Sequence, residues 1–196
     1  MFSIDRDKEA TKLFEDHSNL ILIGFMGSGK TSMGKQLARY LKREFIDTDQ
    51  CIVKKTNRTI SQFMEEAGEE AFRAIESEVL EELLGRKKIV LSTGGGIILN
   101  PKNQDLLRQL GIIIWLNATS DKLFERVRRN AWRPLLQVEH PRHTFNQLLA
   151  ERSAIYEMLS DIKIDTTDLS YTQTLETIIE KVSFHLIKTI NPDISY

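Results

Sequence analysis

The chain has little of several things, and each shortage excludes a class. Its 196 residues include a single cysteine, Cys51, so no internal disulfide framework can form, and a reducing, cytoplasmic setting is expected. Charge of one sign is missing too: 27 Lys and Arg against 28 Asp and Glu leave a formal net charge of −1. No global field draws the chain to nucleic acid or an anionic membrane. Long apolar runs are absent, the longest being NLILIG and GIIIWL, well short of the roughly 18 residues that a membrane span needs. The first 18 residues mix both charge signs without the apolar centre of a signal peptide. What is present is a 41% hydrophobic content, enough for one sizeable core.

Short apolar runs rich in Ile, Val and Leu recur at residues 20–24, 45–47, 89–92, 112–116 and 162–164. Between them lie segments with helical spacing, at 30–42, 69–84, 101–110 and 120–129, and a last one at 171–190. Such alternation predicts a parallel sheet of about five strands covered by helices on both faces, an α/β/α three-layer fold with its binding loops at the carboxyl ends of the strands. Residues 1–18 read as a loosely docked leader, 19–190 as a single domain and 191–196 as a tail.

After the first apolar run comes Gly24-Phe25-Met26-Gly27-Ser28-Gly29-Lys30-Thr31, which satisfies G-x-x-x-x-G-K-[ST] between a strand and a helix. The glycines let consecutive N–H groups converge on phosphate, the helix that follows adds the positive end of its dipole, Lys30 reaches the β- and γ-phosphates, and Thr31 takes a place on Mg²⁺. A dinucleotide fingerprint fails because Ser32 stands where its third glycine would fall. A GTPase is disfavoured because no N-K-x-D occurs. A small-molecule kinase using ATP remains, and its acceptor has to be sought at the other strand ends.

The second strand runs into Asp47-Thr48-Asp49, expected as two carboxylates on one side of an extended chain, one supporting the metal and one handling a hydroxyl. Phe72-Arg73-Ala74-Ile75-Glu76 lies on a helix, and the third strand leads into Ser92-Thr93-Gly94-Gly95-Gly96, where backbone closely approaches a ligand. Residues 128–142 carry four arginines, Trp132 and Arg133-Pro134-Leu135-Leu136 and suit a mobile lid; Trp132 either shields the closed site or packs the lid. Glu151-Arg152-Ser153-Ala154-Ile155-Tyr156 leads back to the core.

The ordered set GxxGxGKT, DTD, FRxxE, GGG, RPLL and ERxxxY, from Leu20 to about Asp165, resembles the shikimate kinases, P-loop kinases with a mobile lid. The resemblance implies transfer of the γ-phosphate of ATP to the 3-hydroxyl of shikimate. It assigns Gly27, Ser28, Gly29, Lys30, Thr31 and Ser32 to ATP; Thr31, Asp47 and Ser92 to Mg²⁺; and Asp49, Arg73, Gly94, Gly95, Gly96 and Arg152 to shikimate. Arg133 becomes the lid arginine on the phosphates, and Arg126 a residue against the adenine. Lys30, Asp49 and Arg133 would carry catalysis, in a monomer that binds neither nucleic acid nor membrane. The segment Asp165-Thr166-Thr167-Asp168 departs from some members in lacking a proline. A gluconate-type kinase and a silent ATP-binding regulatory module are the alternatives. Cys51 reads as a spectator thiol, Trp115 as core, and the His140 and His143 pair as too sparse for a zinc site.

Overall fold

The structure is a computed structural model that describes residues 19–128 and 139–191. The leader 1–18, the lid residues Trp132 and Arg133-Pro134-Leu135-Leu136, and the tail from residue 192 lie outside the described residues. Five strands, β1 (Asn19–Ile23), β2 (Glu44–Asp47), β3 (Ile89–Ser92), β4 (Gly111–Asn117) and β5 (Ile162–Asp165), form one sheet in the order β2-β3-β1-β4-β5. All four pairings are parallel. The helices are α1 (Lys30–Tyr40), α2 (Thr48–Thr56), α3 (Ile60–Leu83), α4 (Pro101–Leu110), α5 (Ser120–Arg128), α6 (Pro141–Leu159) and α7 (Tyr171–Ile190), with a 3₁₀ turn at Ile97–Leu99. Among the described residues, no helix is long and apolar enough to cross a membrane.

Parallel strands must be covered on both faces, and β1 shows how the sequence meets that demand. Ile21 and Ile23 face a core built with α2 to α6, whereas Leu20 and Leu22 face a second core with α1 and α7. Period-two alternation therefore gives a continuous apolar run when each side meets its own layer of helices. Between the two layers the sheet aims the carboxyl ends of β1, β2 and β3 at one edge, with β1 flanked by β3 and β4.

Two helical segments differ from expectation. The chain enters α2 directly from β2, with no intervening turn, because Asp47 ends the strand and caps the helix at once. Its extended backbone (φ −125°, ψ 121°) lets Oδ1 accept from the N–H groups of Asp49 and Gln50, at 3.1 and 3.3 Å. Helix α3 starts well before residue 69, at a capping box formed by Thr59 and Gln62, and is broken at Gly68 (φ 83°, ψ 171°). That backbone region is open only to glycine, so the expected helix from residue 69 is the second half of a kinked one. Pro141 occupies the first turn of α6, where its missing N–H costs nothing.

The end of the sheet opposite the loops is fastened by Asn19. Its side-chain amide donates to the carbonyls of Arg86 and Leu110 (2.8 and 2.9 Å) and its carbonyl accepts from Ile89 N–H (3.2 Å), tying β1 to the ends of both flanking connections. Asn19 is 4% exposed, so water cannot replace these partners. Asn19→Leu should lower unfolding free energy by about 2 to 3 kcal/mol, the effect of stranding buried backbone groups. Urea titration of both proteins, with per-molecule activity in the native baseline unchanged, would check it; equal midpoints would show the amide to be dispensable.

Candidate active site

The loop between β1 and α1 wraps the start of that helix. Gly29 caps α1 in the left-handed region (φ 86°), which favours glycine at the point where the loop turns into the helix. Gly27 lies against α5, beside Leu123 and Val127. Ser28 is buried and its N–H donates to the Phe25 carbonyl at 3.2 Å. The Lys30 ammonium folds over the loop, donating to the carbonyls of Gly24 and Phe25 at 2.7 and 3.1 Å. Ser32 is exposed in the first turn of α1.

Beside the loop three oxygens gather. Thr31 Oγ1 donates to Asp47 Oδ2 at 2.9 Å and lies 3.4 Å from Ser92 Oγ. One carboxylate and two hydroxyls are hard oxygen donors, few in number, as suits Mg²⁺, which keeps several waters and takes phosphate oxygens for the rest of its shell. The donor set fits that ion. Among the described residues no cluster of three or more His, Cys, Asp or Glu side chains could hold a metal.

Asp49 corrects the expectation of two carboxylates on one extended face. Because the helix begins at Thr48, the two aspartates diverge. Asp47 turns toward Thr31, and Asp49 turns toward the glycine loop, where a Cβ built on Gly94 would fall 2.6 Å from its Oδ1. Between them Thr48, fully buried, accepts the Gly94 N–H at 2.9 Å and holds the ends of β2 and β3 together. At the other end of the glycine loop, a Cβ on Gly96 would fall 2.8 Å from Arg73 Nη1. A side chain at either position would push the Asp49 carboxylate or the Arg73 guanidinium from its place.

Arg73 is itself held by two carboxylates, Glu76 at 2.7 Å and Glu69 at 3.0 Å. Arg152 is 9% exposed, with its guanidinium 5.5 Å from the centre of the Phe25 ring. One turn further along α6, the Tyr156 hydroxyl donates to the Gly95 carbonyl at 2.5 Å, and burial pushes that phenol well above its ordinary range. Tyr156 in turn stacks on Trp115, which is core as expected, with centroids 5.8 Å apart.

Arg126 reaches across to the connection after β5, donating to Thr166 Oγ1 at 3.0 Å and to its carbonyl at 2.7 Å. This arginine is a clamp on the segment that lacks a proline, with its guanidinium beside the phosphate-loop side of the sheet. Cys51 is half-buried and its thiol is pushed up by burial, away from the reactive thiolate.

Sequence reasoning missed Glu76, Thr48, Phe25 and Tyr156 as parts of the site. Glu76 and Tyr156 close the FRxxE and ERxxxY motifs, yet nothing in the chain signals that Glu76 would be 1% exposed. Burial raises its carboxyl from the ordinary 4.5 to about 6; the Asp49 charge adds to the rise, while Arg73 and Arg152 oppose it.

A parallel sheet with a glycine-rich loop and its lysine beside the centre, a cluster of hard oxygens at Thr31, Asp47 and Ser92, and a neighbouring group of one aspartate and two arginines around the three-glycine loop has the make-up of a P-loop phosphotransferase. The shikimate kinase family model matches residues 26–183. A shikimate kinase of Pelotomaculum thermopropionicum is 42% identical over 167 residues, 85% of this chain and 96% of that protein. One of Francisella tularensis subsp. holarctica is 42% identical over 171 residues, 87% of this chain and 95% of that protein. Among solved structures, the shikimate kinase from Acinetobacter baumannii in complex with shikimate matches with a TM-score of 0.80 at 38% identity, over 92% of this chain and 98% of that one. The chain belongs to the shikimate kinase family and is an ATP-dependent kinase.

The Glu76 environment sets a pH dependence. Between about pH 4.5 and 6 the unfolded chain has released this proton and the folded chain keeps it. Stability therefore falls as pH rises through that window, by about 2 kcal/mol for this group, and the penalty is fully present above it. Glu76→Gln removes the titration. Urea melts of both proteins at pH 4.5 and 7 should show the native protein losing about 2 kcal/mol relative to the variant. A constant difference between the two would mean that Glu76 titrates as an ordinary carboxylate.

Proposed function

We propose that the chain transfers the γ-phosphoryl group of Mg²⁺-bound ATP to the 3-hydroxyl of shikimate, giving shikimate 3-phosphate and ADP. The observation that carries this reading is the placement of Asp49 and Arg73 at opposite ends of one three-glycine loop. A small ring with a carboxylate on one side and hydroxyls on the other matches such a pocket. Arg73 and Arg152 take the carboxylate through charge-assisted, forked hydrogen bonds, Asp49 accepts from the ring hydroxyls, and Gly94, Gly95 and Gly96 let the ring approach the backbone.

On the donor side, residues Gly27 to Ser32 hold the phosphates through backbone N–H groups, and Arg126 with Thr166 borders the base. Lys30 exchanges the Gly24 and Phe25 carbonyls for phosphate oxygens and follows the charge onto the transferred group. Thr31, Asp47 and Ser92 would hold Mg²⁺, which would supply charge neutralisation to the phosphates. The acceptor hydroxyl oxygen forms the new bond to phosphorus as the bond to the bridging oxygen breaks, and Asp49 aligns the hydroxyl by accepting its hydrogen bond and takes up its proton as the ester forms. Alignment and charge neutralisation make up most of the catalysis that such a transfer needs. Arg133, outside the described residues, is assigned to the leaving phosphates. The reading takes the enzyme as a monomer and places it in the cytoplasm, the latter supported by a lone half-buried cysteine.

Purified protein with Mg²⁺ and ATP should be offered shikimate, gluconate, nucleoside monophosphates or no acceptor while ADP release is followed. Shikimate alone should stimulate turnover strongly. Gluconate in its place would select a different acidic polyol, and binding of ATP without acceptor-dependent turnover would select a regulatory module. Within the same assay Lys30→Ala should lower kcat by at least about 100-fold. Asp49→Asn, which keeps size but removes charge, should raise the barrier by about 2 to 4 kcal/mol. Near-native kcat in either variant would remove that residue from the reaction.

A further inference from the structure

A buried polar cluster outside the pocket joins the helix that carries Arg73 to the turn that follows the glycine loop. Ser77 on α3 and Asn103 on α4 are 5% and 0% exposed. Ser77 Oγ donates to Asn103 Oδ1 at 2.6 Å, and Asn103 Nδ2 donates onward to the carbonyl of Ile97 at 3.1 Å. Asn100 Nδ2 completes the set by donating to Ser77 Oγ at 3.3 Å. Ser77 follows Glu76, the buried partner of Arg73, and Ile97 follows Gly96, the residue against which the Arg73 guanidinium rests.

We propose that Asn103, with Ser77, is a positioning residue for the acceptor site: the pair fixes α3 against the 97–99 turn and so sets where Arg73 stands relative to the glycine loop. Apolar packing alone lets a helix settle with small slides along its neighbour. Directional bonds at 2.6 and 3.1 Å do not, because a slide leaves the fully buried Asn103 amide and the Ile97 carbonyl unpaired, while the Ser77 hydroxyl falls back on the Arg73 carbonyl of its own helix, 3.2 Å away. The polar tie sits one residue from each of the two features whose spacing matters. It therefore converts a packing contact into a fixed distance. Nothing in it touches the phosphate loop, so its effect is confined to the acceptor. The inference rests on Arg73 holding the acceptor carboxylate, as assigned above.

The test is steady-state kinetics of Asn103→Leu and Ser77→Ala, each alone and combined with Arg73→Ala. Each single variant should raise KM for shikimate about tenfold, with KM for ATP and kcat within about twofold of the native values. Combined with Arg73→Ala, neither should raise KM for shikimate further, since the route runs through Arg73. A purely structural role would move both KM values and kcat together, or add its full effect in the Arg73→Ala background, and either result overturns the proposal. An unchanged KM for shikimate in Ser77→Ala overturns it as well, and decides the matter if Asn103→Leu does not fold. If Arg73→Ala itself leaves KM for shikimate unaltered, the acceptor-site reading falls and the positioning role falls with it.

Discussion

Asp47 divides its two carboxylate oxygens between folding and chemistry, and much of the site hangs on that division. Oδ1 receives the first free N–H groups of α2, and Oδ2 receives the Thr31 hydroxyl. Were the side chain to turn fully to either task, the other would fail: α2 would lose its cap, or the Thr31 hydroxyl its carboxylate acceptor. The cap is also what starts a helix at Thr48, and that start swings Asp49 away from Asp47 toward the glycine loop. A single side chain thus separates the donor half of the pocket from the acceptor half.

The remaining connections reinforce this separation by tying each loop to a different neighbour. Thr48 holds Gly94, Tyr156 holds Gly95, and Arg73 lies against Gly96. The three glycines are thus gripped from α2, α6 and α3 in turn, so a flexible sequence becomes a fixed strip of backbone. The phosphate loop is gripped differently, by its own lysine, whose ammonium spans the loop's carbonyls. Strip and loop meet at Ser92, which ends β3 on one side and approaches Thr31 on the other. Charge is spread unevenly over this frame. The acceptor side buries Glu76 beside Arg73, whose guanidinium burial would push down but which the two glutamates raise.

The fold was legible because parallel strands buried on both faces leave short apolar runs that little else produces, and all five lie within a residue or two of their expected places. The phosphate loop was legible because its chemistry demands a fixed spacing. Helix α2 was not. Only Thr48 and Ile52 among its residues are buried, which is too few to draw an apolar stripe, and the strand runs into it without the glycine or proline that marks a turn. The first half of α3 was hidden for the same reason, since its residues are almost all exposed or half-exposed. Glu76 was visible as a motif letter but not as a buried acid, because burial depends on the glycine loop and α6 arriving from elsewhere in the chain. Arg126 was placed on the donor side by resemblance; its grip on Thr166, 40 residues away, belongs to tertiary structure alone.

The break at Gly68 has a mechanical consequence. A continuous helix behaves as a stiff rod, so a push at one end is felt at the other. In α3 the rod is cut immediately before Glu69, the first of the two carboxylates on Arg73. Residues 60–67 therefore communicate with the segment that carries the arginine through the shared core, against which Ile60 and Phe63 pack, and not along a continuous helical backbone. A load on the exposed side of that outer arm thus bends the chain at Gly68 before it turns the segment from Glu69 onward.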